Sequence, residues 1–120
     1  MNKKDQLRFH EYLQHIVDAI ERIERYTADM TELSFLEDEK TQDAVVRNLE
    51  IIGEASNNVL KGHPKFTKQY PEIPLLFAYE MRNAVAHGYH KVDFELVWRT
   101  IQIELPGLLK QVKEALSSFN

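Results

Sequence analysis

The sequence predicts an all-α fold, a compact antiparallel bundle of four main helices plus short helical pieces. Three observations predict it. Apolar residues recur at i, i+3, i+4 and i+7 over long stretches, the spacing of one helical face. Only four glycines and four prolines punctuate the 120 residues. Nowhere is there sustained period-two alternation with β-branched enrichment, the mark of a half-buried strand. There is no internal repeat, no low-complexity segment and no second unit. Residues 1–120 are therefore read as one helical domain, within the usual range of roughly 100–150 residues.

The first helix is expected over about residues 4–27, where Leu13, Ile16, Val17, Ile20 and Ile23 form the apolar face. Arg8, Asp18, Glu21, Arg22 and Arg25 fill the others. Ser34, three residues before Glu37, has capping-box spacing and predicts a new helical start there. The second long helix is expected over about 40–61, with Val45, Leu49, Ile52, Ala55 and Val59 close to one stripe. Gly62-His63-Pro64 should end it, glycine serving as the cap and proline barring continuation. The three prolines in 64–74 read as a connecting loop. Pro74 fits the first turn of a third helix, where its missing N–H is not needed. Leu75, Leu76, Phe77, Tyr79, Met81, Val85 and Ala86 carry that helix to His87, and Gly88 is its natural terminator. Asp93 can cap a fourth helix bearing Leu96, Val97, Ile101, Leu105, Leu108, Leu109, Val112 and Leu116. Pro106 falls inside it and should kink or split it.

Hydrophobic residues make up 43% and charged residues 28% of the chain, the balance of a globule and not of a disordered segment. There is no cysteine, which excludes disulfides, thiolate zinc sites and a cysteine nucleophile. The N-terminal segment has no apolar signal core, and no apolar run approaches the ~18 residues of a membrane span. A cytoplasmic protein without membrane partners is the expectation. Net charge is −4, which by itself repels nucleic acid. The charge is uneven, however. Residues 61–91 carry five Lys and Arg (Lys61, Lys65, Lys68, Arg82, Lys91) against Glu72 and Glu80, with His63, His87 and His90 among them. Anion chemistry, if present, belongs to that segment; the alternative is an ordinary solvated face.

The segment Met81-Arg82-Asn83-Ala84-Val85-Ala86-His87-Gly88-Tyr89 holds the chemically capable residues. Arg82 and His87 are five apart, roughly 140° on a straight helix, so they converge only if the helix ends or distorts at His87. In a last helical turn, exposed carbonyls favour the imidazolium. Such a histidine can take or give a proton. An arginine can hold a phosphate through two hydrogen bonds and steady charge building on its oxygens. Asn83 can add a neutral hydrogen bond. Together these are a minimal kit for phosphodiester chemistry without a metal. Spacing alone equally allows Arg82 to pair with Glu80 or a neighbouring helix, and His87 to cap carbonyls.

The stretch Arg82–Tyr89 resembles the Arg-x4-6-His motif of HEPN domains and, more narrowly, the Arg-x4-His-x-Tyr motif of HepT-like toxin ribonucleases. Ala44–Ala55 resembles that family's second-helix signature, and Pro71-Glu72-Ile73-Pro74 its lead-in to the motif helix. Val92-Asp93, Val97-Trp98 and Leu105-Pro106 resemble the family's sequence beyond the motif. The likeness covers roughly residues 7–112. Leu75 stands where the family commonly has tryptophan, an apolar exchange away from the proposed chemistry. The resemblance implies a HEPN-like fold and a homodimer whose motif helices face each other across a cleft. It implies metal-independent RNA cleavage with Arg82, His87 and Asn83 in the catalytic set, and no cofactor. Tyr89 matches the tyrosine that a minimal nucleotidyltransferase antitoxin modifies with AMP, as in a type VII-like toxin–antitoxin pair. AMP there would place a bulky anion two residues from His87, blocking the cleft and repelling RNA.

Further residues carry open readings. His87 and His90 are three apart, yet a metal would need more ligands from carboxylates; no metal is expected. Gly53 can allow close helix packing with Glu54 solvated or capping, or Glu54 can approach the motif helix and support Arg82 or His87. Trp98, Phe94 and Tyr79 are expected in the core or an interface. Tyr70 and Tyr89 can stack on bases, although packing is the commoner fate. Phe77, Met81 and Val85 form a candidate dimer stripe. Two functions remain: a toxin ribonuclease, or a non-catalytic helical module that binds a nucleotidyltransferase partner.

Overall fold

The computed structural model describes residues 3–86 and 92–118, with the backbone alone described for 82–86. Seven helices and no strands form among the described residues: α1 (Lys3–Thr27), α2 (Glu32–Leu36), α3 (Glu39–Gly62), α4 (Pro64–Gln69), α5 (Leu75–Ala86), α6 (Phe94–Ile103) and α7 (Leu105–Ser117). The molecule measures 47 × 29 × 22 Å. Its long axis follows from α1 and α3, since 24–25 helical residues at about 1.5 Å each span nearly 40 Å.

α3 is the central element, packed against α1 and against α5. α1 and α3 run antiparallel: Phe9 meets His63 near one end, and Arg22 meets Asn48 toward the other. The predicted stripes supply the contact. Leu13, Ile16, Ile20 and Ile23 of α1, and Val45, Leu49, Ile52 and Val59 of α3, are fully buried. Each large aliphatic side chain buried this way contributes about 1.5–3 kcal/mol, which outweighs any helix propensity. α7 closes over α1 through Leu108, Val112 and Ala115. Outside this packing, Lys113 pairs with Glu21 at 3.0 Å.

One polar clamp crosses the α1–α3 interface. Arg22 Nε donates to Asn48 Oδ1 at 2.8 Å, and Asn48 Nδ2 donates to the Ala44 carbonyl at 2.8 Å. Asn48 is buried and Arg22 half-buried. The clamp ties the two helices in one register, because sliding either by a turn would strand a buried amide.

Four expectations are corrected. The short second helix starts at Glu32 and not at Ser34: Thr31 is the N-cap and Ser34 is its partner at N3. A hydroxyl at N3 can return the hydrogen bond that glutamate usually supplies, so the box closes three residues earlier, and Glu37 is the C-cap. Gly62 is the last residue of α3 and takes no positive φ; His63 is the cap, with φ −139°. A Cβ at Gly62 would meet nothing within 4 Å, so neither strain nor crowding requires glycine there.

The stretch 64–74 is not all loop, since Pro64 opens α4 at N1. Phe66 drives this turn by burying itself on Phe9, ring centroids 4.3 Å apart, and Tyr70 stacks on Phe66 at 4.7 Å. Pro71 stops α4 by forcing the preceding Tyr70 out of helical geometry. Pro74 lies just outside α5; its carbonyl accepts from Ala78 N–H at 3.0 Å, which makes it the cap.

Pro106 splits the expected fourth helix in two, as its position predicted. α6 ends at Ile103, Glu104 forms the joint, and Pro106 sits in the first turn of α7. The break falls there because a first-turn proline loses no hydrogen bond. Trp98 and Phe94 pack on Phe35, at 5.3 and 6.2 Å. No helix of the described residues is long and apolar enough to cross a membrane.

Candidate functional site

Arg82 and Asn83 lie in α5, the helix laid against α3. Leu75, Ala78 and Met81 are the buried positions that seat it. Arg82 is four residues past Ala78 and seven past Leu75, so its backbone position lies about 40° and 20° around the axis from theirs, on the same side of α5 as that seam. His87, Gly88, Tyr89 and His90 lie outside the described residues.

The chain re-enters at Val92-Asp93. Asp93 is the N-cap of α6, its Oδ1 accepting from Leu96 N–H at 3.1 Å, as its sequence position predicted. Met81 and the Val92-Asp93 re-entry lie close together. Met81 from α5, Val92 and Asp93 from the re-entry, Leu96, Val97 and Thr100 from α6, and Leu49 from α3 together line a small, largely apolar depression of about 50 Å³. Leu49 is the point of α3 where α5 and α6 meet. Thr100 turns its hydroxyl to the Leu96 carbonyl at 2.9 Å and so presents its methyl group to its surroundings.

Glu54 is exposed on α3, the helix that α5 packs against, and its neighbour Gly53 is buried. The candidate dimer stripe divides. Phe77 is 45% exposed, with Leu76 beside it at 57%, whereas Met81 is only 9% exposed and belongs to the core. The Val85 side chain lies outside the described part of the structure. Tyr70 takes the packed role: besides stacking on Phe66, its hydroxyl lies 2.6 Å from Ser118 Oγ.

Among the described residues, no three of His, Asp and Glu are grouped so as to hold a metal ion. His63 is buried between α1 and α3, its ring 5.1 Å from Phe9 and 6.3 Å from Tyr12. One carboxylate among the described residues is clearly perturbed. Asp38, the N-cap of α3, accepts from the backbone N–H and the hydroxyl of Thr41, which holds its pKa below the ordinary value.

Sequence reasoning missed two features. The Arg22–Asn48 clamp was visible as an asparagine at stripe spacing between Val45 and Ile52. The convergence of Arg8 with Lys61 and His63 on one pocket was not visible, because it depends on the α1–α3 register.

An all-helical bundle whose long central helix carries the motif helix on its flank has the architecture of a HEPN-type domain. The family model "Ribonuclease HepT-like" matches residues 16–115. A Thermococcus cleftensis protein named "Probable ribonuclease HepT" is 43% identical over 98 residues, covering 82% of this chain and 86% of the relative. A Methanocaldococcus jannaschii protein named a "Putative RNase" is 34% identical over 120 residues, 99% of this chain and 93% of the relative. A third, from Caldanaerobacter subterraneus and also named a "Putative RNase", is 36% identical over 105 residues, covering 88% and 91%. No solved structure matches. The chain belongs to the HepT-like ribonuclease family.

Proposed function

We propose that this chain is a metal-independent RNA endonuclease, the toxin of a type VII-like toxin–antitoxin pair, acting as a homodimer of one-domain subunits spanning 1–120. The observation that carries the reading is the match of the HepT-like ribonuclease family model over residues 16–115, a span that contains Arg82–Tyr89.

In this reading a base removes the proton of a ribose 2′-hydroxyl. The 2′-oxygen forms a bond to the adjacent phosphorus, the bond to the 5′-oxygen breaks, and a proton passes to that oxygen. His87 is the proton carrier. Arg82 faces the charge that builds on the phosphorane oxygens, and Asn83 adds a neutral donor. The products are a 2′,3′-cyclic phosphate and a 5′-hydroxyl, and DNA is inert because it has no 2′-hydroxyl. Glu54, exposed on the helix beside α5, suits a supporting role that orients the arginine or histidine. The exposed Leu76 and Phe77 suit a second copy on that flank of α5. Tyr89 is the AMP acceptor for a minimal nucleotidyltransferase antitoxin, whose product blocks the cleft by bulk and charge.

The test is RNA cleavage in excess EDTA, wild type against His87→Ala. Cleavage by the wild type with cyclic-phosphate ends, and none by the variant, is the expected result. Activity that disappeared with chelator and returned with Mg²⁺ would overturn the mechanism. Undiminished toxicity of His87→Ala would overturn the assignment of the site. Tyr89→Phe should still cleave RNA but escape AMP transfer.

A further inference from the structure

At the far end of α3 from the Leu49 depression, a polar pocket of about 310 Å³ opens between the start of α1 and the last turn of α3. Arg8 and Tyr12 line it from α1, one helical turn apart on the same face. Asn58, Lys61 and the cap residue His63 line it from α3, and Asp5 also stands on its wall. Arg8, Asn58 and Lys61 are exposed, whereas the Tyr12 and His63 rings are held against the core. No ion pair among the described residues involves Arg8 or Lys61.

The geometry points to a subsite for one nucleotide of single-stranded RNA, away from the bond that is cut. The parts are those such a site uses: two cations for a phosphate, an aromatic floor for a base, and a side-chain amide for a base edge. The volume falls at the lower end of the range for a small organic group. The surrounding charge supports the same occupant. α4 begins beside His63 and carries the exposed Lys65 and Lys68, with no carboxylate anywhere between Lys61 and Gln69. On a chain of net charge −4, a polyanion is steered to such a basic end and repelled elsewhere. Leu49 and Lys61 are twelve residues apart on α3, about 18 Å at 1.5 Å per residue. A strand bound at both places must therefore be several nucleotides long. The subsite thus selects for length and single-strandedness, which the reaction itself does not require.

The inference rests on the ribonuclease reading, and its test separates the two. The probe is a fluorescein-labelled 2′-O-methyl oligonucleotide of twelve nucleotides, which cannot be cut through a 2′-hydroxyl. Its affinity is followed by anisotropy over a salt series. The Arg8→Glu/Lys61→Glu double variant should bind at least tenfold more weakly. Its log–log salt slope should be shallower by about 0.7, the value for the one phosphate no longer neutralised. Lys110→Glu, a charge reversal on the exposed face of α7, should change affinity less than twofold. Circular dichroism checks that each variant is folded. If the double variant and Lys110→Glu behave alike on a per-charge basis, while the wild type both binds and cleaves RNA, the subsite is overturned and the ribonuclease reading stands. The subsite is likewise overturned if the double variant loses only thermal stability, because the cations then serve only the negative C-terminal end of α3. If the wild type neither binds the probe nor cleaves RNA, both readings fall.

Discussion

The two flanks of α3 are built differently. Its α1 side is a long antiparallel hairpin with fully buried Leu, Ile and Val side chains and the Arg22–Asn48 clamp. Its α5–α6 side is made of helices of 12 and 10 residues. Leu76, Phe77, Leu96 and Ile103 remain exposed on that side. The hairpin is a device for stability. The short helices carry Arg82 and Asn83 on α5 and leave apolar surface exposed. Among the described residues, α1 and α3 alone supply twelve of the 24 buried apolar side chains, so the hairpin is the better-packed half.

The largest expected difference between the flanks is functional. His87→Ala should lower the cleavage rate by about 10²–10⁴-fold and Arg82→Ala by about 10²–10³-fold. The melting temperature should stay close to that of the wild type. A large drop in melting temperature for either variant would mean that the motif helps hold the fold, and the division of labour would fail.

Next come paired substitutions of large apolar side chains. Leu13→Ala in the hairpin should cost about 2–5 kcal/mol in urea unfolding. Phe77→Ser, on the exposed flank of α5, should be nearly neutral for the fold and should instead weaken self-association in analytical ultracentrifugation. Equal losses of stability at the two positions would erase the contrast.

A smaller effect tests the clamp. Asn48→Ala leaves the half-buried Arg22 Nε without its acceptor, and about 1–3 kcal/mol is expected by chemical denaturation. Near-neutral behaviour would assign the register of α1 on α3 to apolar packing alone.

The smallest effect concerns pH. The folded-state pKa of Asp38 is depressed, so its cap stabilises α3 above the ordinary carboxylate pKa. That contribution is lost as pH falls through the folded value. Asp38→Asn should therefore narrow the stability difference between pH 6 and pH 3, measured by thermal melts; an unchanged difference would mean that the cap contributes nothing to acid sensitivity.

Legibility followed the same division. The stripes of α1 and α3 were readable because both helices bury one continuous face over six or seven turns, and a repeated pattern outweighs local exceptions. Asp93 was readable because a carboxylate directly before an apolar run has one strong use. The failures came where two local signals competed. Pro64 read as a loop residue until Phe66 was seen to need the face of Phe9. Ser34 and Glu37 formed a plausible box that lost to Thr31 and Ser34, three residues earlier. Met81 belonged to the predicted dimer stripe by spacing, but α3 claims it for the core.

The sequence by itself determined the helical class, the two long apolar stripes, the break at Pro106 and the candidate residues Arg82, Asn83, Glu54, His87 and Tyr89. The class, the stripes and the break follow from periodicity and from fixed proline and cap stereochemistry, which act within a few residues; the candidate residues rest on the family resemblance. Only the tertiary structure decided the α1–α3 register, the meeting of α5 and α6 over Leu49, and the convergence of Arg8 with Lys61. Each of these joins residues far apart in the chain, brought together only once apolar burial has set how the helices pack.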